Sequence, residues 1–263
     1  MKTIGVLLGS AFCLLVAMPA GAITNGQVDG TAHPNVAAVV FLDKHGDAVG
    51  LCGGSLLSST VLLTTAHCAG DVLNFTASGG DVGVSFDPQV DTGTSTFHAV
   101  SGATISPYFN PKSGLFDQGV LLLKDPVTGI APVDLPAANQ VVDIGKSGSY
   151  TVVGYGLTRD CPVGHCMLSF DGYRRAASER AAAIDRGGGV EFQMNPMATG
   201  VGGTCYGDGG DPVFLGSTNV QGAIQDGMAG FGASQSPCHS VGFGFRLDSK
   251  QARSFLSNYV TVP

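Results

Sequence analysis

Apolar and β-branched residues recur along this chain in short runs, with Gly, Asp, Asn, Ser and Pro clustered between them. Val36–Phe41, Val61–Thr65, Gly119–Leu123, Tyr150–Val153, Pro212–Leu215 and Val220–Ile224 each read as a strand. The clusters between them read as turns. No repeat of solenoid period runs through the chain. One stretch has helical spacing instead: Leu247, Ala252, Phe255, Leu256 and Tyr259 fall near one face, and Asp248-Ser249 can cap the first turn. Many short strands and one terminal helix point to an all-β fold.

Composition agrees. Of 263 residues 40 are Gly, none is Trp and only 13% are charged, which suits strands and turns better than helical bundles. The formal net charge of −7 argues against nucleic acid as a partner, because phosphate binding needs clustered Lys and Arg. Met1-Lys2 is a short basic start, Ile4–Met18 is mostly apolar, and Ala20-Gly21-Ala22 has the small-x-small pattern of a cleavage site. Residues 1–22 are therefore expected to be a signal peptide, and residues 23–263 a secreted, extracellular chain with no membrane attachment after its removal. The apolar part of the leader is short for a span, and no later stretch is apolar enough to cross a bilayer. Export gives the cysteines meaning. Seven less Cys13 leaves 7 − 1 = 6, namely Cys52, Cys68, Cys161, Cys166, Cys205 and Cys238, an even set that reads as three disulfides of undetermined pairing.

Four segments carry candidate chemistry. Leu51-Cys52-Gly53-Gly54-Ser55-Leu56-Leu57 leads through Val61–Thr64 to Thr65-Ala66-His67-Cys68. Asp117 stands just before the apolar run Gly119–Leu123, where a buried carboxylate would need a partner. Val153-Gly154-Tyr155-Gly156-Leu157-Thr158 follows later, and then Gly203-Thr204-Cys205-Tyr206-Gly207-Asp208-Gly209-Gly210-Asp211-Pro212. In this order the segments resemble the trypsin/chymotrypsin-like serine protease family (peptidase S1 type), from Ile23 to about Val262. The last is similar to that family's Cys-x-Gly-Asp-Ser-Gly-Gly-Pro, but Gly209 stands at the nucleophilic serine and Asp211 at the second Gly. No Ser lies between Thr204 and Ser217, so a shifted register does not restore one.

The resemblance implies two packed six-stranded antiparallel β-barrels with a C-terminal α-helix, forming one protease-like domain over residues 23–263. It implies that His67 is the base and Asp117 its orienter, and that the backbone of Gly207 and Gly209 forms the oxyanion hole. It places Ile23 at the mature terminus, paired with Asp208. Gly203, Gln225, Asp226, Gly227 and Gly242 fall in the specificity pocket, where Gly203 gives no support to a preference for Arg or Lys. Cys52–Cys68 and Cys205–Cys238 are the implied bridges, and Cys161 with Cys166 reads as a local one. The stretch Arg174–Arg186 is helical by propensity but a strand by its place in the family.

Glycine has no atom with which to form an acyl-enzyme. The expectation is a secreted protease homologue without proteolysis of its own, engaging a peptide, protein substrate or inhibitor in the cleft between the barrels, as a monomer. The alternative is weak hydrolysis with His67 activating water. No cofactor is implied. Cys161, His165 and Cys166 fall short of the four ligands usual for a structural zinc site, and no metal is expected. Asn74-Phe75-Thr76 is a glycosylation sequon. His33, His45, His98 and His239 are expected in loops.

Overall fold

The computed structural model describes residues 23, 26–157, 170–186, 190–194, 204–226 and 242–263. The first half forms a closed barrel in the order β2-β3-β4-β7-β6-β5. Its strands are β2 (Val36–Leu42), β3 (Ala48–Ser58), β4 (Val61–Thr64), β5 (Asp81–Ser85), β6 (His98–Ile105) and β7 (Gly119–Leu123). The second half is a curled sheet in the order β1-β9-β8-β12-β13-β14-β11-β10. It comprises β1 (Gln27–Val28), β8 (Tyr150–Gly154), β9 (Arg175–Glu179), β10 (Ala181–Arg186), β11 (Glu191–Met194), β12 (Pro212–Leu215), β13 (Gln221–Gln225) and β14 (Gly242–Arg246). The mainly antiparallel two-part β architecture matches the sequence reading. The second part differs in detail: among the described residues it has eight paired strands, with the N-terminal β1 added at one edge.

The continuous apolar run of β2 has a direct cause. Ala37, Val39 and Phe41 join the barrel interior with Leu56, Leu62, Val84 and Leu121. Val36, Ala38 and Val40 join a second core with Tyr155, Phe214, Ile224 and Phe245 of the other half. Successive side chains of a strand point to opposite faces, so a strand lying between two cores is apolar at every position.

Arg174–Arg186 is strand, split into β9 and β10 at Arg180. The C-terminal helix α3 (Lys250–Leu256) is capped by Ser249, whose side chain accepts from the Ala252 N–H. Two helices had no clear sequence signal. α1 (Ala66–Ala77) begins at the Thr65 cap, and α2 (Gln140–Ile144) is a single turn. The Gly, Thr, Asn and Cys content of α1 gives it little intrinsic propensity. It is held by burial of Ala66, Cys68, Ala69 and Val72. His98 starts β6, edge-on to Phe86, rather than lying in a loop. His33 and His45 do lie in the connections before and after β2, and His239 is outside the described residues.

Arg174 ties the parts together. It is buried, and its Nε donates to Asp29 Oδ2 at 2.9 Å. Nη1 donates to the carbonyls of Val36 and Phe86 and to the Tyr155 hydroxyl, and Nη2 to the Gly30 carbonyl. The N-terminal segment, the barrel and the sheet thus meet on one guanidinium. Asp29 also accepts from His33 Nδ1 at 2.6 Å. Burial pushes the Asp29 pKa up, but His33 and Arg174 outweigh it and hold the carboxyl below its ordinary value.

Replacing Arg174 with Met would leave Asp29 and three carbonyls short of a donor. The expected loss is about 3–5 kcal/mol of stability by chemical denaturation. Arg174→Met combined with Asp29→Asn should recover part of it. Gln118 is fully buried with neither amide atom partnered. Gln118→Met should therefore raise the melting temperature by about 2–4 °C, since it removes an unsatisfied polar group at similar volume.

Candidate active site

His67 lies in the first turn of α1, where the Thr65 cap and the Cys52–Cys68 disulfide fix the backbone. Asp117 arrives just before β7. Phe116, immediately before it, has a left-handed φ of 59°. That strained position is held by the Phe116 ring packing edge-on against Phe245, with centroids 5.7 Å apart. The turn points Asp117 at His67. Its Oδ1 accepts the His67 backbone N–H at 2.9 Å and its Oδ2 faces Nδ1 at 2.6 Å. Burial of His67 favours the neutral ring, but the hydrogen bond and charge of Asp117, with the charge of Asp71, outweigh it and raise the pKa. In the neutral ring Asp117 thus favours the Nδ1–H tautomer, which leaves the lone pair on Nε2.

Nε2 points at Gly209. A Cβ built there would lie 2.9 Å from Nε2 and 3.2 Å from Cε1. Real Cβ atoms essentially never approach so closely, so the imidazole occupies part of the space a serine side chain needs. Thr65 Oγ1 lies 3.5 Å from Nε2. That oxygen is already the helix cap, accepting from Cys68 N–H.

The loop carrying Gly209 is anchored to both halves. Gly53 N–H donates to the Gly209 carbonyl at 2.7 Å, Gly210 N–H to the Gln225 carbonyl at 2.9 Å and Gln225 N–H to the Asp211 carbonyl at 2.8 Å. Gly207 and Gly210 have φ of 90° and 97°, a region that L side chains rarely adopt. Asp208 is fully buried. Its Oδ1 accepts from Gly156 N–H at 2.8 Å and its Oδ2 from Cys205 N–H at 2.7 Å. Burial nevertheless pushes its pKa up to about 7, against those hydrogen bonds.

Several expected site residues can be located. Gln225 turns its side chain into the protein, where Nε2 reaches the Pro212 carbonyl at 3.5 Å; only its backbone faces the loop. The Asp226 carbonyl lies 3.4 Å from the Cβ position of Gly209. Gly242 is at the start of β14, where a Cβ would stand 3.0 Å from Thr204 Oγ1. Gly203, Gly227, Cys161, Cys166 and Cys238 lie outside the described residues. Cys205 is disulfide-bonded. Ile23 is fully buried in the core of the second sheet with Val141, Tyr150 and Phe192. Cys52, His67 and Cys68 cluster closely, but both thiols are consumed by the disulfide, which removes the thiolates a metal would need. Beside that disulfide a recess of about 440 Å³ opens between Leu51, Phe41, Phe75 and Asp71. Sequence reasoning missed Arg174 and the buried Glu179. Nothing in Arg174-Arg175 says which guanidinium reaches Asp29 and the barrel carbonyls and which pairs locally with Asp171, at 2.8 Å.

Residues 25–242 match the Trypsin family. The chain belongs to that family. Among curated relatives, human granzyme B is 28% identical over 159 residues, 58% of this chain and 60% of its own length, so the chain spans less than two thirds of that relative. Glucanase inhibitor protein 1 of Phytophthora sojae is 28% identical over 193 residues, 71% of this chain and 69% of that protein. Among solved structures, HL collagenase superposes with a TM-score of 0.68 at 19% identity, over 90% of this chain and 99% of its own. A scabies mite inactivated protease paralogue gives 0.63 at 18% identity, over 89% and 97%. These structures share the fold.

His67 should titrate above its ordinary value of about 6.5 when followed by NMR, and Asp117→Asn should lower it. The sign for stability follows. A raised folded pKa contributes stability that is fully present below the unfolded pKa and is lost as pH rises through the folded one. The Asp117→Asn variant should lose most of that dependence.

Proposed function

We propose that residues 23–263, released by cleavage after Ala22, act outside the cell as a binding protein on a trypsin-family frame, without peptide hydrolysis of their own. The observation that carries this reading is Gly209, which offers His67 Nε2 no atom to deprotonate. Support for a retained cleft comes from Asp117 at His67 Nδ1 and from the loop amides of Gly207 and Gly209, which donate to no acceptor among the described residues. Such a cleft can hold a peptide carbonyl without attacking it. Its ligand would be a peptide segment of a protein partner or inhibitor, with the recess beside Cys52–Cys68 taking an apolar side chain. One relative is by its name an inhibitor of another protein, and one structural neighbour is by its name an inactivated protease. Asp208 interacts with two other buried acids, Asp211 and Glu179, and an α-ammonium at Ile23 that reached this group would pair with Asp208.

A fluorophosphonate probe and a broad peptide library should give neither labelling nor turnover with the mature chain. Labelling at any residue of the cleft, or turnover that His67→Ala abolishes, would overturn the proposal in favour of hydrolysis. Gly209→Ser should label weakly, because His67 must first withdraw. Gly209→Ser with Asp211→Gly is the stronger rescue to compare.

A further inference from the structure

Asp211 is the least expected group in the loop. It is fully buried, and neither carboxyl oxygen has an N–H or O–H partner in hydrogen-bond geometry. It fits only because two neighbours lack side chains. A Cβ on Gly53 would overlap its Oδ1, and a Cβ on Gly154 would overlap its Oδ2. The same point at Gly154 lies 2.9 Å from Asp208 Oδ1, so the two carboxyl groups share one notch. Two ionised carboxylates so placed would repel each other. A proton on one of them would turn that repulsion into an O–H···O⁻ hydrogen bond.

Their surroundings decide which. Asp208 already accepts two backbone N–H groups, which favour its charged form. Asp211 has no such geometry and lies against the Asp208 charge. Burial first, and then the Asp208 charge and hydrogen bond, push its pKa well up, opposed by the Tyr155 backbone and the Arg174 charge. The other charged or titratable groups facing the pair are Glu179 on β9, itself pushed well up by burial and by Asp208, and the Tyr155 phenol, with Asp29 behind it.

We infer that Asp211 is a positioning residue held as a neutral carboxylic acid, donating its O–H to Asp208 and so fixing the loop that presents the amides of Gly207 and Gly209. Asp208 then accepts three hydrogen bonds, from Gly156, Cys205 and Asp211. The loop is thereby organised by a group within itself, whatever becomes of Ile23 and whatever occupies the cleft. Because the proton is taken up on folding, the sign for stability is fixed. The contribution is fully present below the ordinary Asp pKa of about 4, and it declines as pH rises through the pKa values of the folded pair.

The test uses the mature chain, Asp211→Asn and Asp211→Ala. Asn keeps a donor toward Asp208 but cannot titrate. Carboxyl ¹³C NMR of the parent at pH 6 should show Asp211 as a neutral acid; a carboxylate signal there would overturn the inference. In Asp211→Ala, amide exchange at Gly210 and Gln225 should quicken by at least about tenfold, while Asp211→Asn should stay near the parent. Exchange in Asp211→Ala equal to the parent, or Asp211→Asn as fast as Asp211→Ala, would sink it. Should the Ala variant fail to fold, melting curves from pH 4 to 9 decide. Asp211→Asn should lose part of the fall in stability that the parent shows with rising pH, and an unchanged profile would refute the proposal. His67 and Glu179 act in the same direction in both proteins, so the comparison isolates residue 211.

Discussion

The buried guanidinium of Arg174 is the contact on which the rest of the molecule leans. Its donors reach the N-terminal segment, the barrel and the Tyr155 hydroxyl. The chain from Tyr155 passes directly to Gly156, whose N–H holds Asp208. Asp208 in turn holds the loop that carries Gly209. A charge that would cost several kcal/mol if left unpaired is fully hydrogen-bonded instead, and its geometry fixes how the two halves meet. The cleft is a property of that meeting, because His67 and Asp117 come from the barrel and Gly209 from the sheet.

The site pairs His67 with Asp117 and sets the ring against a glycine that carries no side-chain atom. Asp117 spends both oxygens on His67, so the imidazole is oriented as a base would be. Gly209 offers that ring no side-chain atom, and Nε2 lies 2.9 Å from where a Cβ at position 209 would stand. The departure extends into the supporting loop. A carboxyl at position 211 requires Gly53 and Gly154 on either side, one from each half of the fold. Gly209 and the packing of Asp211 beneath it thus belong to one local arrangement.

Burial gives this interior an unusual acid chemistry. Asp208, Asp211 and Glu179 are all withdrawn from water, and all are pushed upward by it. In water each would be a charged surface group. Inside, a proton costs less than an unpaired charge, so the acids become hydrogen-bond donors or wait for a cation. The same physics explains why Tyr150 is pushed up to about 12 beside the buried Asp248.

The sequence by itself determined the main strands and the capped C-terminal helix, and its resemblance to a protease family implied the Cys52–Cys68 bridge and the approach of His67 to Asp117 and Gly209. These depend on local pattern or on motifs whose spacing survives in the chain. It also marked Asp211 as a departure without saying what the residue does. Only the tertiary structure decided that α1 is a helix, since its weak propensity is overridden by four buried residues. Only it separated Arg174 from Arg175, turned Gln225 inward and set Asp211 against Asp208. Those outcomes depend on desolvation and on partners such as Gly53, Gly154 and Asp29, which lie far away in the chain and adjacent only in space.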